Sequence, residues 1–257
     1  MKLGYAAPLE AAETLARIGY DYIEVPLVRF DLTTATGTRA AISQVKAAPL
    51  PCLVLQSFIP PTLPVVGPRV DERAVRTWFG HAAELAEAVG ATAAVFGAAW
   101  SRNVPDGWSR DAAHDQLVTA FTWTAEAFAG SGCVVGIEPQ NVKEANIVRF
   151  LDEAVGYAQE VGRPGEVKVA VDFYHIDEEG TPLASISRFG EWICTVQAAD
   201  TGRQHPGRGQ YDYATFCAEL AKAGYDDTLS VEIMHQISEA EMRDALTFLR
   251  GYWPAES

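Results

Sequence analysis

Cysteine is scarce in this chain, at four residues in 257, and no two form a CxxC pair. Cys52, Cys133, Cys194 and Cys217 often have apolar neighbours, as in Cys133-Val134-Val135. They read as buried free thiols of a reducing compartment, which excludes a disulfide framework. Long apolar runs are also missing. None approaches 18 residues, so no membrane span is expected. The start, Met1-Lys2-Leu3-Gly4-Tyr5, lacks a signal-peptide pattern, and the expected location is the cytoplasm. Basic residues are few, 20 against 34 acidic ones, for a formal net charge of −14. Such a field repels polyanions, so nucleic acid and anionic membrane are excluded as partners. The glycine-rich GxGxxG turn of dinucleotide-binding sheets is absent after the first strand, which argues against an open doubly wound sheet.

What is present suits an α/β protein. The chain is 48% hydrophobic and 21% charged, enough for a sizeable core, with disorder expected only at Pro254 to Ser257. Eight short apolar runs predict strands: Lys2 to Tyr5, Tyr22 to Pro26, Cys52 to Gln56, Thr92 to Phe96, Val134 to Glu138, Lys168 to Asp172, Ile193 to Gln197 and Thr228 to Ile233. Nearly continuous apolar strands are expected where both faces of a sheet are covered. Helical spacing runs over Val70 to Val89, Asp111 to Phe128, Ile147 to Val161, Tyr213 to Ala223 and Ser238 to Leu249. Gly90 is a helix stop, and Ser238 with Glu241 has capping-box spacing. Eight units average about 32 residues each, near one βαβ step. A weak repeat relates Gly19-Tyr20-Asp21-Tyr22-Ile23-Glu24 to Gly224-Tyr225-Asp226 and the strand ending near Glu232. No linker interrupts the alternation. The expected fold is a (β/α)8 TIM barrel, one domain over residues 1–257.

In such a barrel the C-terminal strand ends share one face, where chemistry occurs. Four consecutive predicted strands end there in polar groups: Glu138, Asp172, Gln197 and Glu232, at steps of 34, 25 and 35 residues. Three carboxylates at close range need a cation to stay ionised. An all-oxygen set suits a hard divalent ion, Mn²⁺ or Mg²⁺ with Co²⁺ tolerated, better than Zn²⁺. Among the histidines, His81 and His114 read as surface residues. His175, three residues past Asp172, is placed to meet a substrate oxygen. His205 and His235 fall in loops. Trp100 and Trp108 flank the loop after strand 4, where they either cover the site or pack the loop. Pro206-Gly207-Arg208-Gly209 reads as a tight turn rather than a phosphate cradle.

At these residues the sequence resembles the xylose isomerase-like TIM barrels, the sugar phosphate isomerase/epimerase superfamily, over most of its length. The resemblance lies in Ile137-Glu138-Pro139 through Glu144, in Val171-Asp172-Phe173-Tyr174-His175, in Ala199-Asp200-Thr201-Gly202-Arg203 leading to Pro206-Gly207-Arg208-Gly209, and in Val95-Phe96-Gly97 through Gly107. It implies that Glu138 and Glu232 bind the metal and act as acid and base. It implies that Asp172 is a further ligand, and that Glu144, His175 and Arg203 contact substrate oxygens. Many ketose epimerases of this group carry His where this chain has Gln197, whereas the hydroxypyruvate-isomerase-like branch often has Gln.

The implied activity is isomerisation or epimerisation of a small sugar-like hydroxy-carbonyl compound. One glutamate would take a proton beside the carbonyl, a divalent ion would stabilise the enediolate, and the other glutamate would return the proton. The rivals on the same scaffold are a lyase, either an inosose-type dehydratase or a carbon–glycoside-cleaving enzyme, and a non-catalytic sugar-binding barrel. A nuclease of the superfamily would need a histidine-rich multi-metal site and a basic groove, which this chain lacks. Such barrels often associate, so a homo-oligomer is among the expected assemblies.

Overall fold

The structure, a computed structural model, describes residues 1–234 and 237–253. His235 and the tail expected to be disordered lie outside the described residues. The elements run β1 (Lys2–Ala6), α1 (Ala12–Ile18), β2 (Tyr22–Pro26), α2 (Ala35–Lys46), β3 (Cys52–Gln56), α3 (Glu72–Val89), β4 (Ala93–Phe96), α4 (Ala99–Arg102), α5 (Arg110–Phe128) and β5 (Val134–Ile137). They continue through α6 (Leu151–Val161), β6 (Val167–Asp172), α7 (Phe173–Glu179), α8 (Ala184–Arg188), β7 (Ile193–Ala198), α9 (Tyr213–Lys222), β8 (Thr228–Val231) and α10 (Glu239–Arg250). Each strand pairs in parallel with the next, and β8 closes on β1. The (β/α)8 barrel expected from the strand pattern is the observed architecture.

Its core has two layers. The larger lies between sheet and helices, where outward strand residues such as Leu55, Val169 and Val196 meet helix residues such as Val75, Leu117 and Leu220. The smaller fills the barrel itself with Tyr22, Val54, Ala93, Val95 and Ala170. Gly4 is required there, because a Cβ at this position would overlap the Tyr22 ring. The Tyr22 hydroxyl shares a 2.7 Å hydrogen bond with Ser230 Oγ.

Helix ends follow local chemistry. Asp71 caps α3 by accepting the Ala74 N–H, and Gly90 ends it in the left-handed conformation. The capping box of Ser238 and Glu241 opens α10. One boundary departs from expectation. The pattern predicts a helix from Ile147, but α6 begins at Leu151. The Glu153 carboxylate takes the N–H groups of Val148 and Arg149, and Val148 adopts φ 57°. The Val148 carbonyl in turn accepts the Gln140 N–H, which ties the segment to the loop after β5 instead.

Strand register levels the site. Asp172 stands beside Gln197, and Gln197 beside Ser230. Side chains two apart on a strand share a face, so the Ser230 position and Glu232, just past the end of β8, follow the same inward parity.

Candidate active site

A cavity of about 300 Å³ opens at the C-terminal mouth of the barrel, lined by Trp100, Glu138, Glu144, Gln197, Arg203 and Glu232 among others. Larger hollows elsewhere are open surface grooves, such as one beside Arg29 and Phe30 without clustered acids or histidines.

Glu138 follows β5 and is buried. Its Oε2 accepts the Gln140 amide at 3.1 Å, and Gln140 is held in turn by the Ala99 N–H. Gly97 lies against the same carboxylate, where a Cβ would overlap Oε2. Beneath it Arg102 is fully buried. Its guanidinium donates to the Phe96 carbonyl at 3.0 Å and to the Glu138 carbonyl at 2.6 Å, fixing the ends of β4 and β5. Burial pulls the Arg102 pKa down to about 10, so it remains a cation at neutral pH.

Asp172 ends β6 and caps α7, one oxygen accepting the Tyr174 N–H at 3.0 Å. The other, Oδ2, is buried with no hydrogen-bond partner among the described residues and faces Arg203 Nη1 at 3.1 Å. Arg203 also pairs with Glu232 Oε2 at 2.5 Å and lies over the Tyr174 ring at 4.4 Å. Gln197 is buried, and its amide oxygen likewise has no partner.

Burial raises the acids here. Glu232 is pushed up to about 7, with Arg203 opposing the shift. Glu138 is raised well above the usual range by burial and by the charges of Glu232 and Asp172. Asp172 is raised by burial, with Arg203 opposing. Partial burial raises Glu144 at the rim.

Glu138, Asp172 and His175 each bring one polar atom within 4.8 Å of the others. The hydrogen-bond network assigns His175 a different task. Lys143 N–H donates to Asn141 Oδ1, so the Asn141 NH2 end faces His175 Nδ1 at 2.9 Å. The Asn141 backbone N–H also points at Nδ1, at 3.2 Å. Two donors make Nδ1 an acceptor and place the ring proton on Nε2. Burial holds the ring neutral, with Arg203 and Arg102 acting in the same direction. His175 therefore presents an N–H, a donor for an oxygen, rather than a lone pair for a cation. Arg203 Nη1, 3.2 Å from Nε2, then meets a proton and not an acceptor.

The structure brings Glu138, Glu144, Asp172, His175, Gln197, Arg203, Glu232 and Trp100 to one mouth. Trp100 is half exposed, with its indole N–H on the Ile59 carbonyl at 2.8 Å. Trp108 is not among the residues that line the cavity. Its N–H donates to Gln116 at 3.1 Å, and its ring packs against the sheet–helix core. The Pro206–Gly209 segment is the expected turn. Asp200, buried, accepts the N–H groups of Thr201, Gly207 and Tyr211, which consumes the donors a phosphate would use. Gly207 has φ 85°. Of the histidines set aside, His81 is half buried on the Leu32 carbonyl, His114 pairs with Glu160, and His205 is buried against the Pro206 carbonyl.

Sequence reasoning passed over Arg102, Gln140 and Asn141, although all three lie within or beside the segments that carry the resemblance. It also passed over Glu24, whose position in the repeat with Glu232 was the available signal. Glu24 is fully buried in β2, and its carboxyl is pushed up to about 8 by burial and by Glu232, with the nearby Ser230 hydroxyl and the Gln197 amide opposing.

A cation fits these residues on structural grounds. Among the described residues, Asp172 Oδ2 and Gln197 Oε1 are buried acceptors with no hydrogen-bond partner, and the acids around them are destabilised as anions.

Residues 12–252 match the xylose isomerase-like TIM barrel family, and the chain belongs to that family. Among curated relatives it is similar to an L-ribulose 3-epimerase of Methylomonas sp. (strain DH-1), 27% identical over 138 residues, 53% of this chain and 48% of that protein. A ketose 3-epimerase of Arthrobacter globiformis is 26% identical over 130 residues, 50% of this chain and 44% of that one. These alignments span about half the length of the curated relatives. Among solved structures, 3-keto-D-glucoside 4-epimerase from E. coli superposes with TM-score 0.82 at 22% identity, over 98% of this chain and 99% of the other. A D-psicose 3-epimerase does so with TM-score 0.85 at 16% identity, over 99% and 100%. At such identities the structural likeness concerns the fold.

Proposed function

We propose that this protein is a divalent-metal-dependent epimerase or isomerase of a small ketose-like sugar. The reading rests on one observation above all: two glutamates with raised pKa values, Glu138 and Glu232, line a cavity beside the buried oxygens of Asp172, which faces Arg203, and of Gln197, which has no hydrogen-bond partner among the described residues. Carboxyls raised above their usual range, Glu232 to about 7, are suited to taking and returning a proton. The curated relatives named above are epimerases, which favours this reading over the lyase and over the non-catalytic barrel.

Glu138, Asp172, Gln197 and Glu232 would hold the ion. When bound, it supplies positive charge that stabilises an enediolate and lowers the cost of packing these acids together. Mn²⁺ or Mg²⁺, with Co²⁺ tolerated, suits the oxygen donors.

The chain's own groups supply the rest. One of Glu138 and Glu232 removes the proton from the carbon beside the carbonyl, and the other delivers one. Delivery to the opposite face of the same carbon inverts it, whereas delivery to the neighbouring carbon moves the carbonyl. The Nε2–H of His175 and the guanidinium of Arg203 donate to substrate oxygens, and Glu144 accepts a hydroxyl at the rim. Trp100 offers an apolar wall against which a sugar ring packs.

The test is a ketose panel incubated in heavy water with the protein and Mn²⁺, followed by NMR and mass spectrometry. Deuterium at a carbon beside the carbonyl, together with an epimer or isomer, is the expected result. A dehydrated product would move the assignment to a lyase. A panel with neither label nor product would refute the catalytic reading.

A further inference from the structure

The reading above gives Glu24 no task. It lies between the apolar Ile23 and Val25 with 0% of its surface exposed. A buried carboxylate costs several kcal/mol unless its oxygens are matched, and here Oε2 has no partner among the described residues. The other oxygen, Oε1, accepts the Gln197 side-chain N–H at 2.6 Å.

That bond decides which way Gln197 points. A primary amide has a donor end and an acceptor end. With Nε2 committed to Glu24, the amide oxygen is turned away from Glu24. It is this oxygen that is buried without a partner, on a residue that lines the cavity. Gln197 also stands beside Asp172 in the register of β6 and β7, and the buried Asp172 Oδ2 has Arg203 Nη1 at 3.1 Å as its counter-charge. Turned over, the amide would offer two N–H donors to the cavity and set its oxygen against a carboxyl oxygen. Such a side chain would repel a cation.

We propose that Glu24 is a positioning residue that locks the Gln197 amide with its carbonyl oxygen toward a divalent cation. The proposal rests on the metal reading given above and names the device that makes a neutral amide a dependable ligand. Partners that orient metal ligands are worth about 10- to 100-fold in affinity or activity.

The test is calorimetric titration of Mn²⁺ into the metal-free full chain. The proteins are the wild type, Glu24→Met (similar size, no acceptor), Glu24→Gln, Gln197→Ala and the double variant Glu24→Met/Gln197→Ala. Glu24→Met should weaken Mn²⁺ binding about 10- to 100-fold. Glu24→Gln should weaken it less, because glutamine can still present an oxygen to Gln197. In the Gln197→Ala background, Glu24→Met should change affinity by less than about twofold, the mark of an effect carried through Gln197. Wild-type affinity in Glu24→Met would overturn the proposal. So would an equal loss in both backgrounds, which would make Glu24 act independently of Gln197. If the wild type itself binds no Mn²⁺, the metal reading of the site fails, an outcome distinct from wild-type binding that Glu24 variants leave intact. A second readout needs no metal. In protein labelled with ¹⁵N-glutamine, one Gln197 side-chain proton should lie downfield and return to its ordinary position in Glu24→Met. An ordinary position in the wild type would contradict the locked amide.

Discussion

At the N-terminal end of the barrel, several polar groups are matched in pairs. Thr195 and Thr228 share a hydroxyl hydrogen bond at 3.1 Å, Tyr225 donates to the Thr228 carbonyl at 2.7 Å, and Asp21 accepts the Leu3 N–H at 2.7 Å. Helices α1, α3 and α6 end at this side in left-handed glycines, Gly19, Gly90 and Gly162. Around the C-terminal mouth, Glu24, Arg102, Asp172, Gln197 and Arg203 each leave a buried polar atom without a hydrogen-bond partner among the described residues, where the only other such side chain is Ser185 in α8. Ser57, Ala98, Val148 and Arg203 hold positive φ without being glycine, all of them in segments that follow strands at that end. Strain and unmatched groups cost stability and persist where the surrounding structure enforces them. One end of the barrel is thus built for stability, and the other keeps arrangements that stability alone would remove.

The largest expected effect is at Gly97. Gly97→Ala places a Cβ on the Glu138 carboxylate and should lower turnover at least about 100-fold, the scale of an ångström-level misplacement at a reacting group. Steady-state kinetics on the ketose identified by the panel checks this, and near-normal turnover would show that the position of Glu138 is not critical.

Next comes pH. Glu24 and Glu232 have folded pKa values raised to about 8 and about 7, so the folded state holds protons that the unfolded chain has released. Stability from such groups is fully present at low pH and is lost as pH rises through the folded values. His175 has the opposite sign. Its pKa is lowered from 6.5, so its contribution is lost only as pH falls below that value. Between pH 6.5 and 8 the acids dominate. The metal-free protein should therefore melt at steadily lower temperature across that window by calorimetry, and Glu24→Gln should flatten the slope. An unchanged slope in Glu24→Gln would remove Glu24 from the account.

The smallest effect belongs to the other end. Thr195→Val deletes one matched hydroxyl and should cost about 1 kcal/mol of stability while turnover stays the same. Denaturant melts and kinetics separate the two, and a catalytic loss here would blur the contrast between the ends.

How much of this was legible in the sequence differs by layer. All eight strands were readable, because strands covered on both faces are continuous apolar runs. Their ends were readable to within a residue or two, with Glu138 and Glu232 each just past a strand rather than in it. The long helices α3, α5, α9 and α10 showed their apolar spacing. The short α1, α4, α7 and α8 gave too few turns for a period to register, and the 12-residue α2 was passed over because the face it buries, Thr38, Ala41 and Val45, is only weakly apolar. The four strand-end polar groups were legible as candidates because a charge ending an apolar run stands out. Arg102 and Gln140 did not stand out, since they act through backbone carbonyls and a neighbouring carboxylate that only folding brings near. Glu24 was visible as the carboxylate of an internal repeat, but its partner Gln197 is 173 residues away, and the pair appears only once β2 and β7 share a barrel.

The central claim is that the acids at the C-terminal end are costly alone and are reconciled by a cation. Thermal melting of the wild type and of Asp172→Asn, with and without Mn²⁺, tests it most directly. At an ion concentration 100 times its dissociation constant, binding to the folded state alone adds about 2.7 kcal/mol. The wild type should gain close to that in Mn²⁺, and Asp172→Asn should gain little. Equal gains in both proteins, or none in the wild type, would contradict the claim.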